Sequence, residues 1–110
     1  MALYIGQLVW DADTIWHAGD WQTNTISIST EHANNHIGQP WTISQETLDH
    51  GAHLVAALCN YYRLGRPSWG SNVFGHKVFS ATECPGEISE SQRMSYMTRA
   101  QYWYDLMNAN

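Results

Sequence analysis

Asn24-Thr25-Ile26-Ser27-Ile28-Ser29-Thr30-Glu31 alternates polar and apolar side chains with a period of two. Ile26, Ile28 and Thr30 share one face, and Ser27, Ser29 and Glu31 share the other, which is the pattern of a half-buried strand. Glu31 then falls at the strand's C-terminal end and points away from the apolar face. In mixed sheets such ends border ligand crevices. Downstream, Ser44 reads as a helix N-cap with Glu46 in the first turn, near the positive end of the helix dipole. Leu48, Ala52, Val55, Leu58 and Tyr62 follow at three- and four-residue steps, predicting an amphipathic helix of about 18 residues. Leu64-Gly65-Arg66-Pro67 stops it, with Gly65 in the C′ role.

The flanking segments extend this reading. Residues 2–9 are β-like, with Leu3, Ile5 and Leu8 as packing residues. Trp10-Asp11-Ala12-Asp13 reads as a turn, and Ile15-Trp16-His17-Ala18-Gly19 as a short extended piece ending in a glycine turn. Val73-Phe74 begin a strand that delivers His76. Ser89 and Gln92 form a capping-box pattern. The helix it opens carries Met94, Met97, Gln101 and Tyr104 on one line and Tyr96, Ala100, Trp103 and Met107 on the next, so it should be substantially buried. His50 and His53 read as surface histidines. The order strand, strand, helix, strand, helix predicts an α/β fold, a mixed central β-sheet flanked by helices.

Length and composition bound the function. A chain of 110 residues is one domain, 1–110. With 44% hydrophobic and 14% charged residues it belongs among globular chains. The net charge of −5 and the lack of a basic run argue against nucleic acid or an anionic membrane as partner. No apolar run approaches a membrane span, and the N-terminus does not read as a signal peptide. Six Trp and six Tyr suit a cleft for sugar and peptide, because each ring has an apolar face and a polar edge. Cys59 lies among Val55, Ala56 and Leu58 and reads as a buried free thiol. Cys84 lies in a polar loop, so the two are expected to do different jobs.

That loop, Gly75-His76-Lys77-Val78-Phe79-Ser80-Ala81-Thr82-Glu83-Cys84-Pro85-Gly86, places an imidazole and a thiol eight residues apart. Both are ligands that a borderline-soft ion such as Zn²⁺ prefers. Spacing alone is a weak metal signal. A hydrogen-bonded histidine at a strand end and an inert small hydrophobe fit it as well.

Three separated pieces together are more specific. Trp16-His17-Ala18-Gly19, Asn24-x-x-Ser27-Ile28-x-x-Glu31 and Gly75-His76…Thr82-x-Cys84-Pro85-Gly86 resemble, in order and spacing, the zinc-dependent N-acetylmuramoyl-L-alanine amidases. That family includes the animal peptidoglycan recognition proteins and the amidase-type phage lysozymes, and the resemblance runs from about residue 7 to 88. It implies the peptidoglycan-recognition-protein-like fold, with Zn²⁺ in a surface cleft. His76 and Cys84 match two zinc ligands, Thr82 the oxyanion-stabilising position, and Glu31 the catalytic acid/base. Trp16, His17 and Asn24 match positions at the cleft wall and the preceding turn, where substrate contact or loop support is expected.

The implied reaction is hydrolysis of the amide between N-acetylmuramic acid and L-alanine in peptidoglycan, with glycan and stem peptide as the partners. It would act at the bacterial cell wall, with release of the phage-lysin type. The family also carries a third zinc ligand, a His on a first strand, and a Tyr on the next strand. Neither has a counterpart here, so the resemblance implies an N-terminally incomplete domain that lacks its first strands. A sheet without those strands exposes an edge, and a homo-oligomer is the expectation. The alternative function is a non-catalytic peptidoglycan-binding or regulatory fragment.

Overall fold

A computed structural model of the chain describes residues 5–14 and 17–109. Its elements are α1 (Trp21–Ile26), α2 (Gln45–Tyr61) and α3 (Arg93–Met107), with short 3-10 turns at His76–Val78 and Gly86–Ser89. Among the described residues there is no sheet. The one β feature is an isolated parallel bridge between Trp69 and Val73. The expected mixed central β-sheet is therefore replaced by a helical arrangement. No helix among the described residues is long and apolar enough to cross a membrane.

The segment that reads most like a strand shows why. Asp20 caps a helix, its carboxylate accepting from the Thr23 backbone N–H at 2.9 Å and the Thr23 hydroxyl at 2.7 Å. These bonds hold the Asp20 carboxyl below its usual range. The helix takes Asn24, Thr25 and Ile26 out of the alternating run, and the backbone turns extended only at Ser27, φ −135° and ψ 160°. Ile26 and Ile28 remain 76% and 44% exposed. A strand gains most of its stability from neighbours; among the described residues none pairs with 27–31, and the local cap wins.

Other boundaries shift for similarly local reasons. Ile5–Val9 carries no regular structure, and the rest of the expected first strand lies outside the described residues. Val73 makes only the isolated bridge, and His76 opens a 3-10 turn instead of leaving a strand. Ser89 does not cap α3. The Gln92 amide instead clamps the Ile43 backbone, accepting from its N–H at 3.0 Å and donating to its carbonyl at 2.9 Å. α3 then starts at Arg93 with no side-chain cap.

α2 forms as read, with the Ser44 hydroxyl accepting from the Thr47 N–H at 3.1 Å. Its end differs by two residues. Leu64 N–H donates to the Cys59 carbonyl at 2.9 Å and Arg63 N–H to that of Asn60 at 3.3 Å, the paired bonds of a Schellman motif. The C′ position is thus Arg63, at φ 55°, and not Gly65.

α2 and α3 pack on each other through Leu48, Ala52, Tyr96, Met97 and Ala100, joined by Ile43 and Ile88. Ala52 and Ala100 are both 0% exposed, which lets the helices approach closely. Met94, on the expected buried face of α3, is exposed. Polar contacts bolt the pair at its margin. Asp49 accepts from Arg99 at 2.7 Å and from the Trp103 indole at 2.9 Å. His53, exposed as expected, stacks on Trp103 at 4.1 Å.

Arg63→Gly should stabilise the fold by about 0.5–1 kcal/mol, because a non-glycine αL residue is strained. The readout is a higher urea midpoint with an unchanged m-value. A lower midpoint would show that the arginine side chain contributes more than its backbone costs.

Candidate active site

The 76–86 loop is closed by its own backbone. Lys77 N–H donates to the Cys84 carbonyl at 3.0 Å, and Gly86 N–H donates to that of Glu83 at 2.7 Å. The Cys84–Pro85 peptide is cis. Behind the loop, buried Gly75 leaves no room for a side chain: a Cβ there would lie 2.5 Å from Ser89 Oγ and 3.1 Å from Pro85. In the following residue, His76, the backbone carbonyl accepts from the Phe79 N–H at 2.9 Å, but the ring Nε2 is buried without a partner. A buried polar nitrogen left unsatisfied calls for a ligand or a bridging group.

Thr82 accepts from the Cys84 N–H at 3.2 Å, which leaves its hydroxyl proton free to donate. Between these two residues, Glu83 is held by Gln39 and by the Trp41 indole, the latter at 3.1 Å. Trp41 also takes the Glu87 N–H on its carbonyl at 2.9 Å. Gly86, at φ +67°, lies so close to Trp41 that a Cβ would sit 2.6 Å from its side chain. Segment 39–41 thus pins the Cys84 end of the loop. Beside it runs an open groove of about 550 Å³ whose walls include Gln39, Trp41, Lys77 and Thr82.

The other sequence-derived site residues come to this loop from two directions. Asn24, buried in α1, accepts on Oδ1 from the His17 N–H at 3.0 Å and the Ala18 N–H at 2.7 Å. The turn so held presses Gly19 against the loop, where a Cβ would meet Ser80 Oγ at 2.8 Å. Asn24 is thus a support for the turn in this structure, and its Nδ2 is buried without a partner. Trp16 lies outside the described residues. Glu31 is exposed and close enough for its charge to act on the Cys84 thiol, whose pKa is raised first by partial desolvation in an otherwise exposed residue and then by that carboxylate. Cys59 is buried and Cys84 exposed, and both are free.

For a metal, the orphaned His76 nitrogen and the Cys84 thiol suit two positions of a zinc shell. The carboxylate beside Cys84 opposes thiolate formation, a bias that a divalent cation would reverse. Among the described residues no three His, Cys, Asp or Glu side chains gather to hold a metal ion. The fit is therefore to a partial ligand set.

The family model for N-acetylmuramoyl-L-alanine amidase matches residues 4–87. The chain belongs to that family. Members act on cell-wall peptidoglycan, and the matched span takes in every site residue named above. Comparison with curated proteins and with solved structures returned no match.

Sequence reading missed Trp41, Glu83 and His32. His32 is half-buried and bonded to Tyr96, Nε2 to hydroxyl, at 2.8 Å. The available signal was Gly51, a glycine in the interior of an otherwise well-formed helix.

Burial lowers the His32 pKa below 6.5. The unfolded chain then takes up a proton more readily than the folded one. The stability at stake is complete above about pH 6.5 and is lost as the pH falls below it. Urea midpoints measured from pH 7.5 down to 5 should fall, and His32→Gln should flatten the fall. Equal slopes in the two proteins would rule out His32 as the source.

Proposed function

We propose that this chain is a zinc-dependent amidase domain that cleaves the amide between the lactyl group of N-acetylmuramic acid and L-alanine, in an endolysin-like, bacteriolytic role. The observation that carries the reading is the buried, unpartnered Nε2 of His76, in the same loop as Cys84 and Thr82, with the Glu31 charge acting on the Cys84 thiol. Family membership supports the substrate class.

In this reading His76 and Cys84 hold the zinc. When bound, the metal supplies Lewis-acid polarisation of the scissile carbonyl and of the attacking water. The Glu31 carboxylate, exposed to solvent, takes the proton from the water and delivers it to the leaving amine. The free hydroxyl proton of Thr82 stabilises the developing oxyanion. His17 contacts substrate from the turn that Asn24 supports, and Trp16 is assigned to substrate contact by the resemblance alone. Catalytic zinc sites carry three protein ligands, so one comes from outside this loop, and self-association of the chain is one source.

The absence of a three-ligand group among the described residues favours a second reading, a non-catalytic peptidoglycan-binding fragment. Zinc content of the purified chain, measured beside release of soluble stem peptide from cell walls, separates the two. Stoichiometric zinc with release supports the amidase; retained wall binding with neither rejects it. Cys84→Ser should abolish tightly held zinc and reduce release to background. Unchanged metal content in that variant would remove Cys84 from the site.

A further inference from the structure

Glu31 sits in a segment with little to hold it. Residues 27–34 have no regular structure, and among the described residues His32 is the only one of 28–34 with a hydrogen bond to another segment. That bond reaches Tyr96, 64 positions along the chain and 2% exposed in the core of α3. The two rings also meet edge to face, 5.3 Å apart at 72°. Beneath the imidazole lies Gly51 of α2. A Cβ at Gly51 would sit 2.2 Å from His32 Nε2 and 3.2 Å from the Tyr96 hydroxyl. The glycine, disfavoured in a helix interior, is therefore a notch that receives the ring.

We propose that His32, seated on Gly51 and bonded to Tyr96, is the positioning residue for Glu31. The inference rests on the assignment of Glu31 as the acid–base group in the proposed amidase. Its basis is geometric. Neighbouring Cα atoms stand about 3.8 Å apart, so anchoring His32 confines Glu31 to a small region. Glu31 is exposed, and its charge acts on the Cys84 thiol. The hydrogen bond and packing of His32 thus set the place of a neighbouring group that makes no hydrogen bond of its own.

Three variants of the full chain test this: Gly51→Ala, Tyr96→Phe and His32→Gln. Alanine favours the helix while filling the notch, so α2 should persist, by circular dichroism, as the ring is expelled. The carboxyl carbon of Glu31, followed by NMR, should move towards its random-coil shift in Gly51→Ala and Tyr96→Phe. In His32→Gln the shift should be smaller, because the amide can still bond Tyr96. Peptidoglycan hydrolysis should lose about ten- to a hundred-fold in kcat with KM changed less than about twofold, the mark of a misplaced reacting group. A merely structural role would leave the Glu31 resonance where it is. An unmoved resonance in Gly51→Ala, once loss of the His32–Tyr96 nuclear Overhauser contact confirms expulsion, overturns the proposal. Glu31→Gln serves as the separate control. Wild-type kcat there would remove Glu31 from the chemistry, while a moved resonance in Gly51→Ala would still uphold the positioning.

Discussion

The packing of α2 against α3 is the constraint from which the other placements follow, because helices without a sheet have only each other on which to bury their apolar stripes. Leu48 and Ala52 from one helix and Tyr96, Met97 and Ala100 from the other form its centre. The long connections then hang from α3 or from the residue just before it. Gln92 clamps Ile43, Tyr96 receives His32, Gln101 donates to the Pro67 carbonyl, and Asp105 takes Arg66 in a two-point ion pair. Four tethers at or within one helix thereby hold two connections, those before and after α2, including the segment that carries Glu31. The exposed ion pair among these tethers contributes little by itself. The part-buried ones decide where backbone can go.

What could be read from sequence divides along the same line. α2 was legible because its determinants are local: a serine cap, a first-turn glutamate and a 3.6-residue period. The run at 24–31 misled because period-two alternation describes a surface that needs a partner, and Asp20 with Thr23 offered the backbone a nearer one. α3 began later than its capping pattern suggested, since Gln92 was engaged by Ile43. Arg63 took the left-handed cap although a glycine stood two residues on, a choice made by the Schellman bonds to Asn60 and Cys59.

The site shows a similar division. His76, Thr82, Cys84 and Glu31 stood out by motif order, and the structure brings Glu31 and the loop into electrostatic reach. Of the residues that hold that arrangement, Asn24 belonged to a motif, whereas Gln39 and Trp41 carried none. Trp41 and Gln39 act on the loop through Glu83, and Asn24 acts through the His17–Gly19 turn. The bonds to Glu83 join positions 44 and 42 residues apart, with no spacing for a sequence pattern to display.

The contrast between the two thiols gives the chain a pair of built-in timers. Cys84 is open to solvent, whereas Cys59 is enclosed in α2, where burial also raises its pKa. An alkylating reagent in native buffer will modify Cys84 at a rate set by its own loop. Modification of Cys59 waits for an opening that uncovers it, so its half-life counts how often that part of α2 is exposed. One mass spectrum taken over time separates loop chemistry from breathing of the core.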